Sequence, residues 1–325
     1  MNNLPFSICT YNLGSRVDDY FLLCKHLDPS LSFKSKKEED DFLLKYDNVQ
    51  NRTTELLANT SEAYCLQEVA DEDRPLIKSF KERNFEILHS TGTALFDTAI
   101  ALDKNRFKDI TNHSIIVQIN PHFSKDAAIA TATDIFTGER ILFVSAHVPG
   151  FDFTKQVDDE DAAEGDLYCR AIVKKLSEIG SGTFHIMGAD MNANPEKWNP
   201  RFEVLSQQRF QLHRTNSATN VNPKDSTEQE REIDFIFTKT STSIWQKIKS
   251  IFFSTVQFNT AIKIQNSIGW NIDDNASDHL PVFIGISHTI KSSKIHQLWN
   301  ATYHAVSSCF RAQQPQKAFH RDSIS

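Results

Sequence analysis

The stretch His185–Pro195, HIMGADMNANP, runs from short apolar residues into Gly188 and then into an acid and an amide two positions apart, Asp190 and Asn192. Side chains at i and i+2 of an extended chain project to one side. Both groups are therefore expected on one face, at the end of a strand. A carboxylate accepts hydrogen bonds or ligates a metal, and an amide both donates and accepts. That pairing suits a water or a phosphate held beside a hard cation. Alone, the stretch reads more readily as a polar turn, because Asp, Asn, Gly and Pro are the usual turn residues. The rest of the chain decides between the two.

Working outward, four other stretches end in the same way. Phe6–Tyr11 (FSICTY) is a β-rich run that stops at Asn12. Ala63–Val69 (AYCLQEV) carries Glu68 directly behind its apolar residues. A buried carboxylate needs a partner, which a metal, a backbone amide or an arginine can supply. Ala127–Phe136 and Arg140–Ala146 flank Thr137–Gly138, a tight hairpin connection, and the second strand ends at His147. Ala276–Val282 (ASDHLPV) sets Asp278 beside His279, which on extended backbone point to opposite sides. In addition, Glu232–Thr238 (EIDFIFT) predicts a strand with Asp234 inside it, among Ile233, Phe235, Ile236 and Phe237. Such an acid needs a donor, and an imidazole is a natural one. Each signal is weak alone. Together they supply carboxylates and amides for a hard cation and two imidazoles for a phosphate, and functional groups gather where strands end on a rigid sheet.

The remaining chain predicts strands at 85–89, 98–102, 115–119 and 280–286, one or two more within 240–275, and helices at 51–59, 167–179 and 201–210. Lys34–Asp41 (KSKKEEDD) reads as a solvated helix start or a loop within a polar stretch, 15–48. Asp158–Asp166 reads as an acidic loop leading into a helix, and 216–231 as a loop without periodicity. No internal repeat or Gly/Ser-rich linker divides the chain. The expected organisation is a catalytic domain over 1–288 and a basic tail over 289–325. The tail carries Lys291, Lys294, Arg311, Lys317 and Arg321 against Asp322 alone. Ile295, Leu298, Trp299, Thr302, Val306 and Phe310 recur there at helical spacing. That predicts an amphipathic helix, which packs on the domain or meets an anionic membrane or a partner.

Composition bounds the function. The 325 residues carry a net charge of −7 and include 24 Phe. An acidic body does not attract polyanions broadly, which weighs against nonspecific duplex binding. A divalent cation can still supply local positive charge. Five widely spaced cysteines without a CxxC suggest a reducing compartment. The N-terminal MNNLPFSICTYNLG lacks the pattern of a signal peptide, and no apolar run is long enough to span a membrane. A cytoplasmic monomer is expected, and delivery into another cell as an effector fits the same features.

The ordered set CTYNLG, CLQEV, VSAHVPG, GADMN, EIDFIF and ASDHLPV resembles the endonuclease/exonuclease/phosphatase superfamily, the group of pancreatic deoxyribonuclease, abasic-site endonucleases, deadenylases, inositol polyphosphate 5-phosphatases and neutral sphingomyelinases. The resemblance covers about residues 5–287. It implies an α/β four-layer sandwich: two mixed, mostly antiparallel sheets packed face to face, with helices outside. It implies Mg²⁺, with Mn²⁺ as a substitute, held by Glu68 with Asn12 beside it and Asp278 completing the shell. Asp190 would orient or deprotonate the attacking water, and Asn192 would hold the phosphate. His279 and His147 would contact the phosphate from two sides, and Asp234 would orient His279. Three departures stand out. Gly14 replaces the acid usual in abasic-site endonucleases, Phe235 the arginine usual in 5-phosphatases, and Ala189 the glycine before the acid of the common GDxN motif. The implied activity is hydrolysis of a phosphoester, foremost a phosphodiester of nucleic acid or a nucleotide. The alternatives are a phospholipid, inositol phosphate or sphingomyelin-type substrate, and an inactive binding scaffold. There is no HExxH, no Gly-rich phosphate loop and no Ser or Cys nucleophile motif to suggest other chemistry.

Overall fold

The computed structural model describes residues 5–14, 17–70, 74–89, 96–149, 159–180, 184–193, 195, 199–221, 230–240, 255–262 and 275–291. Their elements are, in order, β1 (Phe6–Asn12), α1 (Val17–Leu27), α2 (Lys36–Leu57), β2 (Ala63–Ala70), α3 (Pro75–Glu82), β3 (Phe85–His89), β4 (Phe96–Asp103), β5 (Phe107–Asn112), β6 (Ile115–Asn120), β7 (Phe123–Asp134), β8 (Arg140–His147), α4 (Asp159–Ile179), β9 (Phe184–Asp190), α5 (Asn199–Gln207), β10 (Gln211–His213), β11 (Asn220–Val221), β12 (Glu230–Arg231), β13 (Asp234–Thr240), β14 (Thr255–Ile262) and β15 (Val282–Lys291).

Two large sheets form. One has six strands in the order β14-β15-β1-β2-β4-β3, the other runs β10-β13-β9-β8-β7-β5 with β6 also paired to β7. β1 with β2 and β8 with β9 are parallel, and the other large-sheet ladders with a described register are antiparallel. This is the expected mixed, mostly antiparallel sandwich. Strand alternation builds its layers. Cys9, Tyr11, Tyr64 and Leu66 face outward and pack under Leu57, Leu76, Ile77 and Phe80 of α2 and α3. Leu142, Val144, Met187, Ala189, Phe235 and Phe237 face the opposite way, under Tyr168, Ile172 and Leu205 of α4 and α5. The intervening residues, Thr10, Cys65, Gln67, Ser145 and Gly188, fill the space between sheets. A Cβ on Gly188 would stand 2.6 Å from Cys65 Cβ and 2.8 Å from Thr10 Cβ, so the backbones need glycine to approach here.

The chain separates into two compact units, one of 1–241 with 258–288 and the other of 242–257 with 289–325. In the second unit the described residues are 255–257 and 289–291, the ends of β14 and β15. The helix expected at 295–310 lies outside the described residues.

Several expectations need correction. Residues 15–48 hold two helices. In α2, Tyr46, Val49, Thr53 and Leu57 are buried at three- and four-residue spacing, a stripe that the surrounding charge obscures in the sequence. Its start is KSKKEEDD, where Ser35 Oγ accepts from Glu38 N at 3.3 Å and Glu38 and Glu39 lie at the positive end of the helix dipole. The acidic run after Asp158 is likewise helical from Asp159. Neither α3 nor β5 is evident from the sequence, the first because it is short and the second because its outward residues are polar. The stretch 216–231 contains the small β11–β12 ladder. The Thr137–Gly138 hairpin forms as expected, with Gly138 at φ +68° and its N–H on Asp134 O at 2.8 Å.

Candidate active site

Cross-strand register gathers the site. His147, Asp190 and Asp234 are directly opposite one another on β8, β9 and β13. All three lie on the inward side of the alternation, and Asn12 ends β1 on the facing sheet. Asp234 begins its strand instead of lying within it, because Glu232 and Ile233 before it stand outside the ladder.

Asn12 Nδ2 donates to Glu68 Oε1 and to Asp190 Oδ2, each at 2.9 Å. His147 Nε2 is 3.7 Å from Glu68 Oε1 and 3.9 Å from Asp190 Oδ2. His279 Nε2 approaches the same Asp190 oxygen at 3.9 Å, while its Nδ1 meets Asp234 Oδ2 at 2.9 Å. One carboxylate oxygen is thus shared by an amide and two imidazoles. Among the described residues, two side-chain groups have donor atoms within 4.8 Å of one another: Glu68 with His147 and Asp190, and Asp190 with Asp234 and His279. Asp278 belongs to neither; its Oδ1 lies 3.8 Å from His279 Nε2.

Electrostatics set the charge of the Asp234–His279 pair. Burial alone would favour a neutral His279; the carboxylates of Asp234, Asp278 and Asp190 outweigh it and raise the imidazole pKa well above its ordinary value. Burial also pushes the Asp234 carboxyl upward, against the pull of the imidazole and a hydrogen bond from Thr219. The mutual stabilisation of the pair favours imidazolium facing carboxylate.

The backbone is strained at two of these positions. Glu68 has φ +51° at a break in the β2–β4 register between Gln67 and Ala70, and Asn192 has φ +46°. Non-glycine residues reach this region at a cost, and such residues cluster at functional sites. The extended geometry expected through Asn192 therefore stops at Asp190. The Asn192 N–H folds back onto Asp190 Oδ1 at 2.8 Å, and its Nδ2 donates to Val148 O at 3.1 Å. Asp278 and His279 do not diverge as expected either. Ser277 N binds Asn275 Oδ1 and His279 N binds Ser277 Oγ, so this segment is a bend that brings carboxylate and ring together.

The sequence did not single out several supporting residues. Ser277 Oγ donates to Asn12 O at 2.9 Å, tying the His279 segment to β1. Arg201, buried, donates to Met191 O at 2.9 Å beneath the Asp190 loop. Asn220 stands beside His279 and Asp278, and Arg231 donates to its amide oxygen. Asn220 and Arg231 lie in the stretch 216–231, which has no periodicity, so no spacing rule signals them.

The donors fit a hard cation. Glu68 and Asp190 offer oxygens on either side of one amide, two like charges that need neutralising, and oxygen is what Mg²⁺ or Mn²⁺ takes.

No family model matches the sequence, and no curated protein matches it. Solved structures do. An endonuclease/exonuclease/phosphatase protein from Bacteroides vulgatus aligns at 14% identity over 89% of this chain and 100% of its own, with a TM-score of 0.56. The 2′,3′-cyclic phosphatase ANGEL2 aligns at 13% identity over 88% of this chain and 96% of its own, with a TM-score of 0.55. The mannosyl-6-phosphatase Bt3783 of Bacteroides thetaiotaomicron aligns at 13% identity over 86% of this chain and 99% of its own, with a TM-score of 0.52. These likenesses establish architecture, and the chain has the fold of the endonuclease/exonuclease/phosphatase superfamily.

Proposed function

We propose that the chain is a divalent-metal-dependent phosphoester hydrolase, acting foremost as a phosphodiesterase on a nucleic acid or nucleotide. One observation carries the reading. Asp190 Oδ2 stands 2.9 Å from Asn12 Nδ2 and 3.9 Å from both His147 Nε2 and His279 Nε2, at the edge where strands from both sheets end. Phosphoester hydrolysis needs an activated in-line water and donors around the phosphoryl oxygens, and this cluster supplies both kinds of group.

In this reading Glu68, with Asn12 beside it, holds Mg²⁺ or Mn²⁺, and Asp278 completes the shell directly or through water. A bound cation would neutralise phosphoryl charge and ease deprotonation of water. Asp190 orients the attacking water and accepts its proton. Asn192 spends one amide hydrogen on Val148 O and offers the other to the phosphate. His279 donates from Nε2 to a phosphoryl oxygen, with Asp234 fixing the ring through Nδ1. His147 contacts the phosphate from the other side and assists the leaving oxygen.

A second reading, a phospholipid, inositol phosphate or sphingomyelin-type substrate, draws support from the basic composition of 289–325, which suits an anionic membrane surface. A Mg²⁺-dependent panel of single- and double-stranded oligonucleotides, inositol phosphates and sphingomyelin, run beside Asp190→Asn, tests both. Cleavage of oligonucleotides abolished by Asp190→Asn is the expected result. Release from lipids alone would transfer the assignment to the second reading, and activity unaffected by Asp190→Asn would remove the site.

A further inference from the structure

Asn220 is a buried amide in direct contact with His279, and nothing in the roles above uses it. Its Nδ2 lies 3.0 Å from His279 Nε2, 3.3 Å from Asp278 Oδ2 and 3.4 Å from Asp278 O. The backbone fixes the placement. Asn220 and His279 form an antiparallel bridge, Val221 N donates to Asp278 O at 3.0 Å, and Leu280 N donates to Thr219 O at 2.7 Å. The amide orientation is fixed as well. Arg231, buried and paired across the β11–β12 ladder, donates from Nη2 to Asn220 Oδ1 at 2.6 Å. A guanidinium has donors only, so the amide oxygen must face Arg231 and the NH₂ must face His279 and Asp278.

An amide nitrogen does not accept hydrogen bonds. The two nitrogens lie 3.0 Å apart, so a group that accepts from His279 Nε2 lies within reach of the Asn220 amide as well. An anionic oxygen that accepts from Nε2 can accept from the Asn220 amide too, beside the Asp278 oxygens at 3.3 and 3.4 Å.

We propose that Asn220 is a further substrate-contacting residue, whose amide N–H, aimed by Arg231, converges with His279 Nε2 on one anionic phosphoryl oxygen. The proposal rests on the phosphoester-hydrolase reading. Arg231 is a positioning residue in it. The ligand chemistry required is an anionic tetrahedral oxyanion, so inorganic phosphate is a sufficient probe.

Asn220→Asp is the discriminating variant. It keeps the acceptor for Arg231 and the size of the side chain, and it removes the N–H while adding negative charge where phosphate would sit. The full chain, Asn220→Asp, Asn220→Ala and Asp190→Asn would be assayed with Mg²⁺ on bis(p-nitrophenyl) phosphate, with inorganic phosphate as inhibitor. Phosphate binding would also be measured by calorimetry. Asn220→Asp is expected to keep the native Tm, to lower kcat/KM at least tenfold, and to weaken phosphate binding by a similar factor. Asn220→Ala should show a smaller loss of both, and serves alone if the Asp variant does not fold. Replacing Arg231 with Lys should lower kcat/KM several-fold, with partial recovery relative to Arg231→Met. Native kcat/KM and phosphate affinity in folded Asn220→Asp would overturn the proposal, as would a native chain that binds no phosphate. If the native chain and Asp190→Asn are equally inactive while phosphate binds the native chain and not Asn220→Asp, the hydrolase reading falls and the anion site stands.

Discussion

Asp234 Oδ2 and His279 Nδ1 stand 2.9 Å apart although 45 positions separate them in the chain, and both are buried. The bond settles which imidazole nitrogen faces the reaction: Nδ1 is held from behind, so Nε2 is turned toward Asp190. Asp234→Asn leaves the shape and removes the charge. It should lower kcat on the order of 100-fold with little change in KM, since positioned acid–base groups contribute factors of that size. Steady-state kinetics on the substrate found in the panel provides the check, and a native kcat would sink the positioning role.

Glu68 is the half-buried carboxylate of the proposed metal site, strained at φ +51°. Ligands that bind only the folded state stabilise it by mass action. Millimolar Mg²⁺ or Mn²⁺ should therefore raise the Tm of the native chain, and chelation should reverse the rise. Glu68→Gln should lose most of this shift. A thermal scan with and without metal reads it independently of activity.

Gly188 sits where Thr10 and Cys65 of the facing sheet leave no room for a Cβ. Gly188→Ala would force the sheets apart at the centre of the sandwich. Overpacking of this kind costs about 1–3 kcal/mol. The midpoint of urea unfolding should fall accordingly, and an unchanged midpoint would contradict the close packing described.

His213 is buried and hydrogen-bonded through Nε2 to Thr238 Oγ1 at 2.7 Å; burial lowers its pKa. The unfolded chain takes up a proton on this histidine near pH 6.5, while the folded chain resists it. Its contribution is therefore intact above that pH and weakens folding as pH drops below it. Native protein should lose more stability between pH 7.5 and 5.5 than His213→Gln does, in paired denaturant titrations. Equal losses would show that His213 is not involved.

Cys65 and Cys169 are pushed up to about 12 by burial, and Cys9 rises for the same reason. Thiolate is the reactive form. These three cysteines should resist iodoacetamide at pH 8 in the native protein and react in denaturant, as peptide mapping would show. Rapid native labelling at Cys65 would mean that the inter-sheet space opens.

The candidate site was legible to different depths. Asn12, His147 and Asp190 each end an apolar run, and period-two alternation was enough to place them on a common rim. Asp234 announced itself as an acid among Ile and Phe. α1 was not legible, and α2 was legible only at its end, within 51–59, and as one of two readings at its start, because the inward stripe is diluted by charge on the other faces; α2 reads KKEEDDFLLKYDNVQNRTTELL with only four buried positions. Asn220 and Arg231 were not legible at all. Their meaning comes from a two-residue ladder and a bridge to His279, pairings of long sequence separation that no local pattern encodes.

By itself, then, the sequence marked the polar residues that end its apolar runs, and their ordered motifs carried the resemblance that implied a two-sheet sandwich. Periodicity and residue type are local properties, and both survive in a linear string. Tertiary structure alone decided that Asp190 is shared by two imidazoles, that Asn192 folds back at positive φ instead of continuing the strand, and that Asp278 turns toward His279. Those outcomes depend on cross-strand register, on backbone strain that surrounding packing sustains, and on which amide oxygen a buried arginine claims. HIMGADMNANP names the acid; the fold supplies the partners that would make it act.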